Sequence, residues 1–345
     1  MTRNRHSGFL ADAAFAPPHA TTNRRGVALL AALWLVVIIA SAGLQFSLVA
    51  RERRALGVTA SDRTRDRAAL TGALAHVQAR LDGQRRPQAA ERQAGLAQRM
   101  GVVSDSWSNL DALFPDAIAV GETRVAVRGV DLGTVVNVNT ASEQTLAVLF
   151  EAVLRDAEVA TQLAQRILDW RDADTLARAN GAEGVDYRRA QRTVLPTNGN
   201  VRTIGELAQV LGMTPDLLER LNPYLTTAGT ASRVNINAAP EPVLRTIPGM
   251  TPPLLAAILA LRSGGRRVES VPALLTAVRG AARGDAASGL YMSQVRDLTE
   301  AVTLETGEIE FNLMVLDPGS IQPANLSATV VRHTDGSAVV RRMQW

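Results

Sequence analysis

The sequence predicts an α+β fold: a long N-terminal helix, then an antiparallel β head interrupted by a large inserted all-α domain. Three observations carry that expectation. An apolar run over residues 27–50 passes into a polar stretch whose Leu70, Leu74, Val77 and Leu81 recur at helical spacing. Alternating apolar residues mark strands at Arg124–Val130 and again at Ile309, Phe311, Leu313 and Val315. Helical periodicity fills the interval between them, from about residue 140 to 290, so strands far apart in sequence must pair in one sheet.

Composition narrows the chemistry. A chain of 345 residues can hold one large or two modest domains. It has no cysteine, which removes disulfides, thiolate nucleophiles and Cys-based zinc sites. It also has no lysine: all 37 basic residues are arginine. That excludes a P-loop lysine, a Schiff-base lysine and a lysine general base. His6, His19, His76 and His333 are scattered without ligand spacing. Residues 1–26 hold four arginines against Asp12, so three of the net +4 charges sit there. The remainder is close to neutral, which weakens a nucleic-acid role.

The apolar run begins after Arg24-Arg25-Gly26 and is closed by Arg51-Glu52-Arg53-Arg54. Its 24 residues, at about 1.5 Å each, reach roughly 36 Å, against a hydrocarbon core of about 30 Å. A secretory signal would be shorter and would end in a small-x-small cleavage site. Continuing the helix along the Leu70–Leu81 stripe gives one element from about 27 to 82, stopped by Gly83 and Pro87. The first half belongs in lipid; the striped half belongs against a globular head.

A basic leader ending in Gly26, followed by an apolar helix that turns amphipathic, resembles a type IV prepilin. The resemblance implies cleavage between Gly26 and Val27 on the cytoplasmic face, by prepilin peptidase, and methylation of the new amino terminus. Such chains usually carry a glutamate at the fifth mature position, where this one has Ala31. A carboxylate in lipid is costly unless paired. In pilins it is thought to pair with the terminal amine of the subunit above, so Ala31 points to a subunit with nothing above it. The leader, with Phe9, Phe15, Pro17 and Pro18, is long for the family and leaves its true start open.

Within the insertion two short texts repeat. Val136-Asn-Val-Asn-Thr-Ala-Ser142 returns as Val234-Asn-Ile-Asn-Ala-Ala-Pro240, and Gly212-Met-Thr-Pro215 as Gly249-Met-Thr-Pro252. Thr214 and Thr251 are expected to cap helices that open on Pro215 and Pro252. Thr203 and Glu206 have the spacing of a capping box. Strands are also expected at Ser327–Arg332 and Ser337–Arg342. Residues 234–280, with Ile247-Pro-Gly-Met250, look like a helix-hairpin-helix module, a unit that binds DNA phosphates through hairpin amides. Thr251 replaces the usual second hairpin glycine, and the near-neutral head lacks a long-range field. The excess of Arg233, Arg245, Arg262, Arg266, Arg267, Arg279 and Arg283 over Glu241, Glu269 and Asp285 keeps a DNA reading open.

Taken in order, the motifs resemble one family. Val-Asn-Val-Asn-Thr140 is followed by Ile167-Leu-Asp-Trp-Arg-Asp-Ala-Asp174, Asn180-Gly-Ala-Glu183 and Asp186-Tyr187. Then come Ile204-Gly-Glu-Leu207, Leu221-Asn-Pro-Tyr-Leu225, the second Asn-x-Asn, and Arg-Arg-Met-Gln-Trp345. This series is similar to the K-type minor pseudopilin of the type II secretion system, the GspK family, across residues 24–345. The resemblance implies a leader at 1–26, a transmembrane part at 27–50, a type IV pilin-like head from 51–137 and 290–345, and the inserted helical domain at 138–289. It also implies a single-pass inner-membrane protein with a periplasmic C-terminal domain. The implied role is a non-catalytic subunit at the pseudopilus tip that initiates or caps assembly for export of folded proteins. Implied partners are the I- and J-type minor pseudopilins, the major pseudopilin and prepilin peptidase.

Asp169, Asp172, Asp174, Glu183 and Asp186 crowd one glycine-containing stretch. Oxygen-rich loops of this kind hold calcium, which takes six to eight oxygens at about 2.4 Å, and the family resemblance implies that ion; no other cofactor is expected. The spacing is not that of an EF-hand. The alternative is a solvated surface paired with Arg171, Arg188 and Arg189. No histidine lies nearby and no nucleophile motif is present, so the acids are not read as a hydrolase pair. Two rival functions stay open: a membrane-anchored DNA-binding or competence protein, and a type IV pilus minor pilin.

Overall fold

The computed structural model describes residues 24–84, 105, 107–114, 116–230, 233–281, 288–316 and 323–345. Leader residues 1–23, Pro87, Arg283 and Asp285 lie outside them. The N-terminal helix, α1, runs Arg24–Asp82. The chain divides into two compact units, residues 1–63 and 64–345.

In the first unit, the described residues form helix from Arg24 onward. Leu29–Leu48, 20 residues without a charge, is long and apolar enough to cross a membrane, and none of it is buried. Leu29, Leu30, Leu35, Ile38 and Ile39 lie all round the helix yet are each more than half exposed. Water does not tolerate such a surface, so it implies an apolar surrounding.

The second unit begins with the striped part of α1. Leu70, Leu74, Val77 and Leu81 are buried, as the helical spacing requires, with Ala69 and Ala73 filling the same face. They pack on a five-stranded antiparallel sheet ordered β1-β2-β7-β8-β9, formed by Ala117–Val120, Thr123–Asp131, Glu308–Val315, Asn325–Arg332 and Ala338–Gln344. The alternation of β7 is explicit: Ile309, Phe311, Leu313 and Val315 face the helix and are buried, while Asn312 and Met314 point away. A short helix α2, Leu110–Leu113, leads into Phe114, which meets Phe311 edge-on at 5.2 Å. Strand β2 pairs with β7 from Val125↔Val315 to Asp131↔Ile309, so the whole helical block is looped out between two neighbouring strands.

That block has its own core and is one module built twice. In the first copy Val136–Asn137 (β3) pairs in parallel with Leu225–Thr226 (β4); in the second Val234–Asn235 (β5) pairs in parallel with Val302–Thr303 (β6). Helices α3 (Glu143–Leu154), α4 (Ala157–Arg171), α5 (Gly184–Arg189) and α6 (Pro215–Leu221) belong to the first. Helices α7 (Glu241–Leu244), α8 (Pro252–Ser263), α9 (Val271–Ala281) and α10 (Ser288–Ala301) belong to the second. Leu298 and Val302, which the sequence places in the β head, pack instead in the helical core. The reason is the β5–β6 pairing, which draws the chain back to the second Asn-x-Asn before it re-enters the sheet.

The repeated asparagines explain why the module recurs. Asn137 and Asn235 each accept, through Oδ1, the backbone N–H two residues on, at 2.8 and 3.1 Å. Asn139 holds both backbone groups of Val201, and Asn237 both of Val268, each through bonds of 2.8–3.0 Å. An arginine at the end of the second helix of each copy then donates to the loop carbonyls: Arg171 to Val138 and Ala141, Arg262 to Ala239 and Ala238. Burial lowers both guanidinium pKa values, and for Arg171 the nearby Arg178 charge adds to the effect. These bonds supply partners for loop carbonyls that have none within a regular element.

Two expected caps are not made. Thr214 accepts from Leu217 N at 3.2 Å, but Thr251 makes no such bond. Glu206 does not close a box on Thr203; its carboxylate accepts from Trp170 Nε1 and from Arg202 N, both at 2.9 Å, and Ile204–Gln209 coils as a 3-10 turn. A buried indole N–H needs an acceptor more than an exposed helix end needs a cap.

Candidate functional site

The acidic stretch forms the loop between α4 and α5. Helix α4 delivers Asp169 on its buried face beside Ile167, Leu168 and Trp170, and ends at Arg171 with Asp172 as its C-cap. The loop is held by local bonds: Asp174 Oδ1 accepts from Leu176 N at 2.9 Å, Asn198 donates to Asp174 O at 2.9 Å, and Gln165 Oε1 accepts from Asn180 N at 2.7 Å. It returns through Glu183, the N-cap of α5, whose own N–H donates to Asp186 Oδ2 at 3.0 Å.

The structure splits the five expected ligands. Asp172, Asp174 and Glu183 each offer a carboxylate oxygen, and the three atoms all lie within 4.8 Å of one another. Asp169 is fully buried and committed elsewhere: Oδ2 accepts from Arg178 N at 3.1 Å and Ala182 N at 2.8 Å, and Oδ1 takes the Arg178 guanidinium. Asp186 caps α5 and pairs with Arg189 at 3.1 Å.

Arg178 is the residue that sequence reading passes over. Its Nη1 reaches Asp169 Oδ1 and, at 2.6 Å, Asp172 Oδ2, whereas Arg171 serves backbone carbonyls. Partial burial opposes the Arg178 charge, but the bonds to Asp172 and Asp169 outweigh it and raise its pKa. The available signal was an arginine inside the acidic run. Gly181 is required by the same packing, since a Cβ there would fall 1.8 Å from Asp169 Oδ2.

The donor set fits a hard divalent cation. Glu183 is only 4% exposed, and its Oε1 has no hydrogen-bond partner, nor has Asp172 Oδ1. An orphaned buried carboxylate oxygen costs its full desolvation unless something positive reaches it. Burial raises the Glu183 pKa first, the Gly184 N–H opposes this, and Asp169, Asp172 and Asp174 raise it further. Three carboxylates supply up to six oxygens, and carbonyls or water complete the set that calcium takes.

The second candidate, the hairpin at Ile247–Met250, lies between α7 and α8 with Gly249 at φ 79°. Four of the arginines around it are engaged by the protein itself. Arg262 holds Ala239 and Ala238, Arg245 pairs with Glu241 at 2.6 Å, Arg267 donates to Leu304 O at 2.9 Å and Arg233 to Thr299 O at 2.6 Å. Gly26 and Val27 lie in α1, and Ala31 is exposed within it.

Residues 109–230 match the family model described as type II secretion system (T2SS), protein K. Type II secretion system protein K of Pectobacterium carotovorum subsp. carotovorum is 32% identical over 152 residues, covering 39% of this chain and 45% of that one. The Aeromonas hydrophila protein of the same name is 31% identical over 155 residues, covering 39% and 46%. The matches thus span about half the length of these relatives. Among solved structures, the GspK-GspI-GspJ complex from the enterotoxigenic Escherichia coli type 2 secretion system holds a similar chain. The TM-score is 0.52 at 17% identity, over 82% of this chain and 98% of that one, which shows a shared fold. With its Asn-x-Asn latch, acidic loop and Trp170–Tyr187 core, the block at residues 109–230 is a domain of the type II secretion system protein K family.

Proposed function

We propose that this chain is a non-catalytic minor pseudopilin of type II secretion, standing at the tip of the pseudopilus and initiating or capping its assembly. The observation that carries this reading is the family match on a chain whose α1 opens with the uncharged span Leu29–Leu48. The span anchors the subunit once in the inner membrane, with the head in the periplasm. Cleavage between Gly26 and Val27 and methylation of the new terminus release it into the filament. Ala31, in place of an acid, removes the carboxylate that would greet a further subunit above.

The fold neighbour comes from a complex with GspI and GspJ. By that likeness we assign I- and J-type minor pseudopilins as partners, with the major pseudopilin below them. The bulk of the inserted helical block supports a terminal place, because it would obstruct a subunit stacking on it. In the acidic loop we assign a calcium ion to Asp172, Asp174 and Glu183, where its charge would tie the end of α4 to the start of α5.

Deleting the gene while following export of folded proteins, with co-purification of the tagged chain, tests the assignment. Loss of export and recovery of I- and J-type subunits with a mature terminus at Val27 are expected. Normal export, or an intact leader on the membrane-extracted protein, would overturn it.

A further inference from the structure

We infer that Arg178 is the resident counter-ion of the acidic loop, and that a divalent cation loads there only by drawing Asp172 away from it. The inference rests on the reading of Asp172, Asp174 and Glu183 as a cation site, and it concerns what sets that site's affinity.

Two positive groups compete for one carboxylate. Asp172 presents Oδ2 to Arg178 Nη1 at 2.6 Å, its Oδ1 is buried without a partner, and one of its oxygens lies within 4.8 Å of carboxylate oxygens of Asp174 and Glu183. Glu183, buried and likewise carrying an unpartnered oxygen, faces the same space. A cation there gains most when it takes both oxygens of Asp172, and this requires Arg178 to let go. Arg178 has somewhere to stay. Asp169, at 0% exposure, holds it through Oδ1, and Asp169 Oδ2 is fixed by the N–H groups of Arg178 and Ala182. The guanidinium, whose Nε also lies 4.0 Å from Glu143 Oε2, therefore keeps Asp169 and Glu143 when it gives up Asp172.

Electrostatics gives the direction. A fixed positive charge beside the site repels a divalent ion and lowers its affinity. It also makes the empty loop stable enough to fold without the ion, since four clustered acids would otherwise repel one another. Asp169 is on this account the anchor of the counter-ion and not a ligand. That separates this arrangement from a five-acid site, in which Asp169 would bind the metal directly.

The test uses the full chain in detergent, stripped with chelator, and titrated with calcium chloride by calorimetry, with magnesium chloride as the size control. Arg178→Gln should bind calcium tighter than the wild type by on the order of tenfold. Because Arg178→Gln leaves Asp169 buried without its cation, the double variant Asp169→Asn with Arg178→Gln is measured beside it. It removes the ion pair as a unit, keeps neutral hydrogen-bonding groups in place, and should also bind tighter. Binding in both variants with little or none in the wild type supports the inference as well. Equal or weaker binding in the double variant overturns it, and weaker binding there would make Asp169 a ligand. Adding Asp172→Asn and Glu183→Gln to Arg178→Gln should abolish the heat. If that heat persists, or if no variant gives any, the cation site itself is refuted and the inference falls with it.

Discussion

Asn235 Nδ2 donates to Asp131 Oδ2 across 2.8 Å, joining the first strand of the second helical module to the last residue of a sheet strand. Thr306 Oγ1 donates to the same oxygen at 2.9 Å, and Gly133 N to the other at 2.8 Å. Just beyond, Thr306 N donates to Asp105 Oδ2 at 2.6 Å, and Arg332 pairs with Asp105 at 3.0 Å while lying over the Trp107 ring. The junction between sheet and helices is thus a polar network with each carboxylate fully engaged. Such a seam fixes register where a purely apolar contact would allow slip.

Asp131 makes this seam sensitive to pH. Burial raises its pKa above the ordinary carboxylate value, hydrogen bonds from Asn235, Gly133 and Thr306 oppose the rise, and Asp105 adds to it. In the folded chain the group holds its proton to higher pH than in the unfolded chain. Its contribution is therefore full below the ordinary value and is lost as pH rises through the raised one. Asp131→Asn removes that titration. The variant should lose about 1–3 kcal/mol at acid pH, because its amide would face donors on Asn235 and Thr306. Thermal melts of both proteins from pH 4 to 7 should show the gap narrowing as pH rises; a constant gap would mean that Asp131 does not titrate in this range.

Much of the fold was legible because it is periodic. Leu70, Leu74, Val77 and Leu81 declare a helix face, and Ile309 to Val315 declare a strand face, through chain geometry alone. The Asn-x-Asn echo was visible as text, and its meaning emerged with Val201 and Val268, which each asparagine grips from 62 or 31 residues away. Partner choice was not legible. Nothing local tells Glu206 to prefer Trp170 over Thr203, or Asp169 to take Arg178 over Arg171. Those choices are made by burial, which forces an indole or a carboxylate to find its complement wherever the fold brings one. The acidic stretch offers five candidate ligands because sequence records proximity along the chain and not which oxygens are left over.

Gly181 supplies a direct test of the acidic loop. A methyl group there would press into Asp169 Oδ2, with Arg178 N another 2.9 Å contact. Gly181→Ala should destabilise the chain by about 1–3 kcal/mol, the usual cost of overpacking a closed site. Full stability in the variant would show that the loop relaxes freely.

The two asparagine latches should behave alike, although Asn237 Nδ2 also donates to Leu304 O at 3.0 Å, a carbonyl that keeps Arg267 as a donor. Asn139 and Asn237 each bond both backbone groups of a distant valine. Replacing either by alanine strands an N–H and a carbonyl, at about 1–3 kcal/mol for each group left unsatisfied. Asn139→Ala and Asn237→Ala should lower the denaturant midpoint by similar amounts, and the double variant by close to their sum, since the latches share no partner. A strongly unequal pair would show that one module leans on the other.

The membrane span leaves little room for a charge. Leu29–Leu48 is 20 residues long and, at about 1.5 Å per residue, only just matches a hydrocarbon core of roughly 30 Å. Ile38 sits near its midpoint, where an aspartate costs about 2.5–3.5 kcal/mol to insert and has no short path to either interface. Ile38→Asp should move much of the chain out of the alkali-resistant membrane fraction, while Ile38→Leu should leave it there. The same substitution at Leu29, at the span's edge, should be far milder, because the carboxylate can reach the headgroups. If Ile38→Asp resists alkaline extraction as well as the wild type does, the span is not what holds the protein to the membrane.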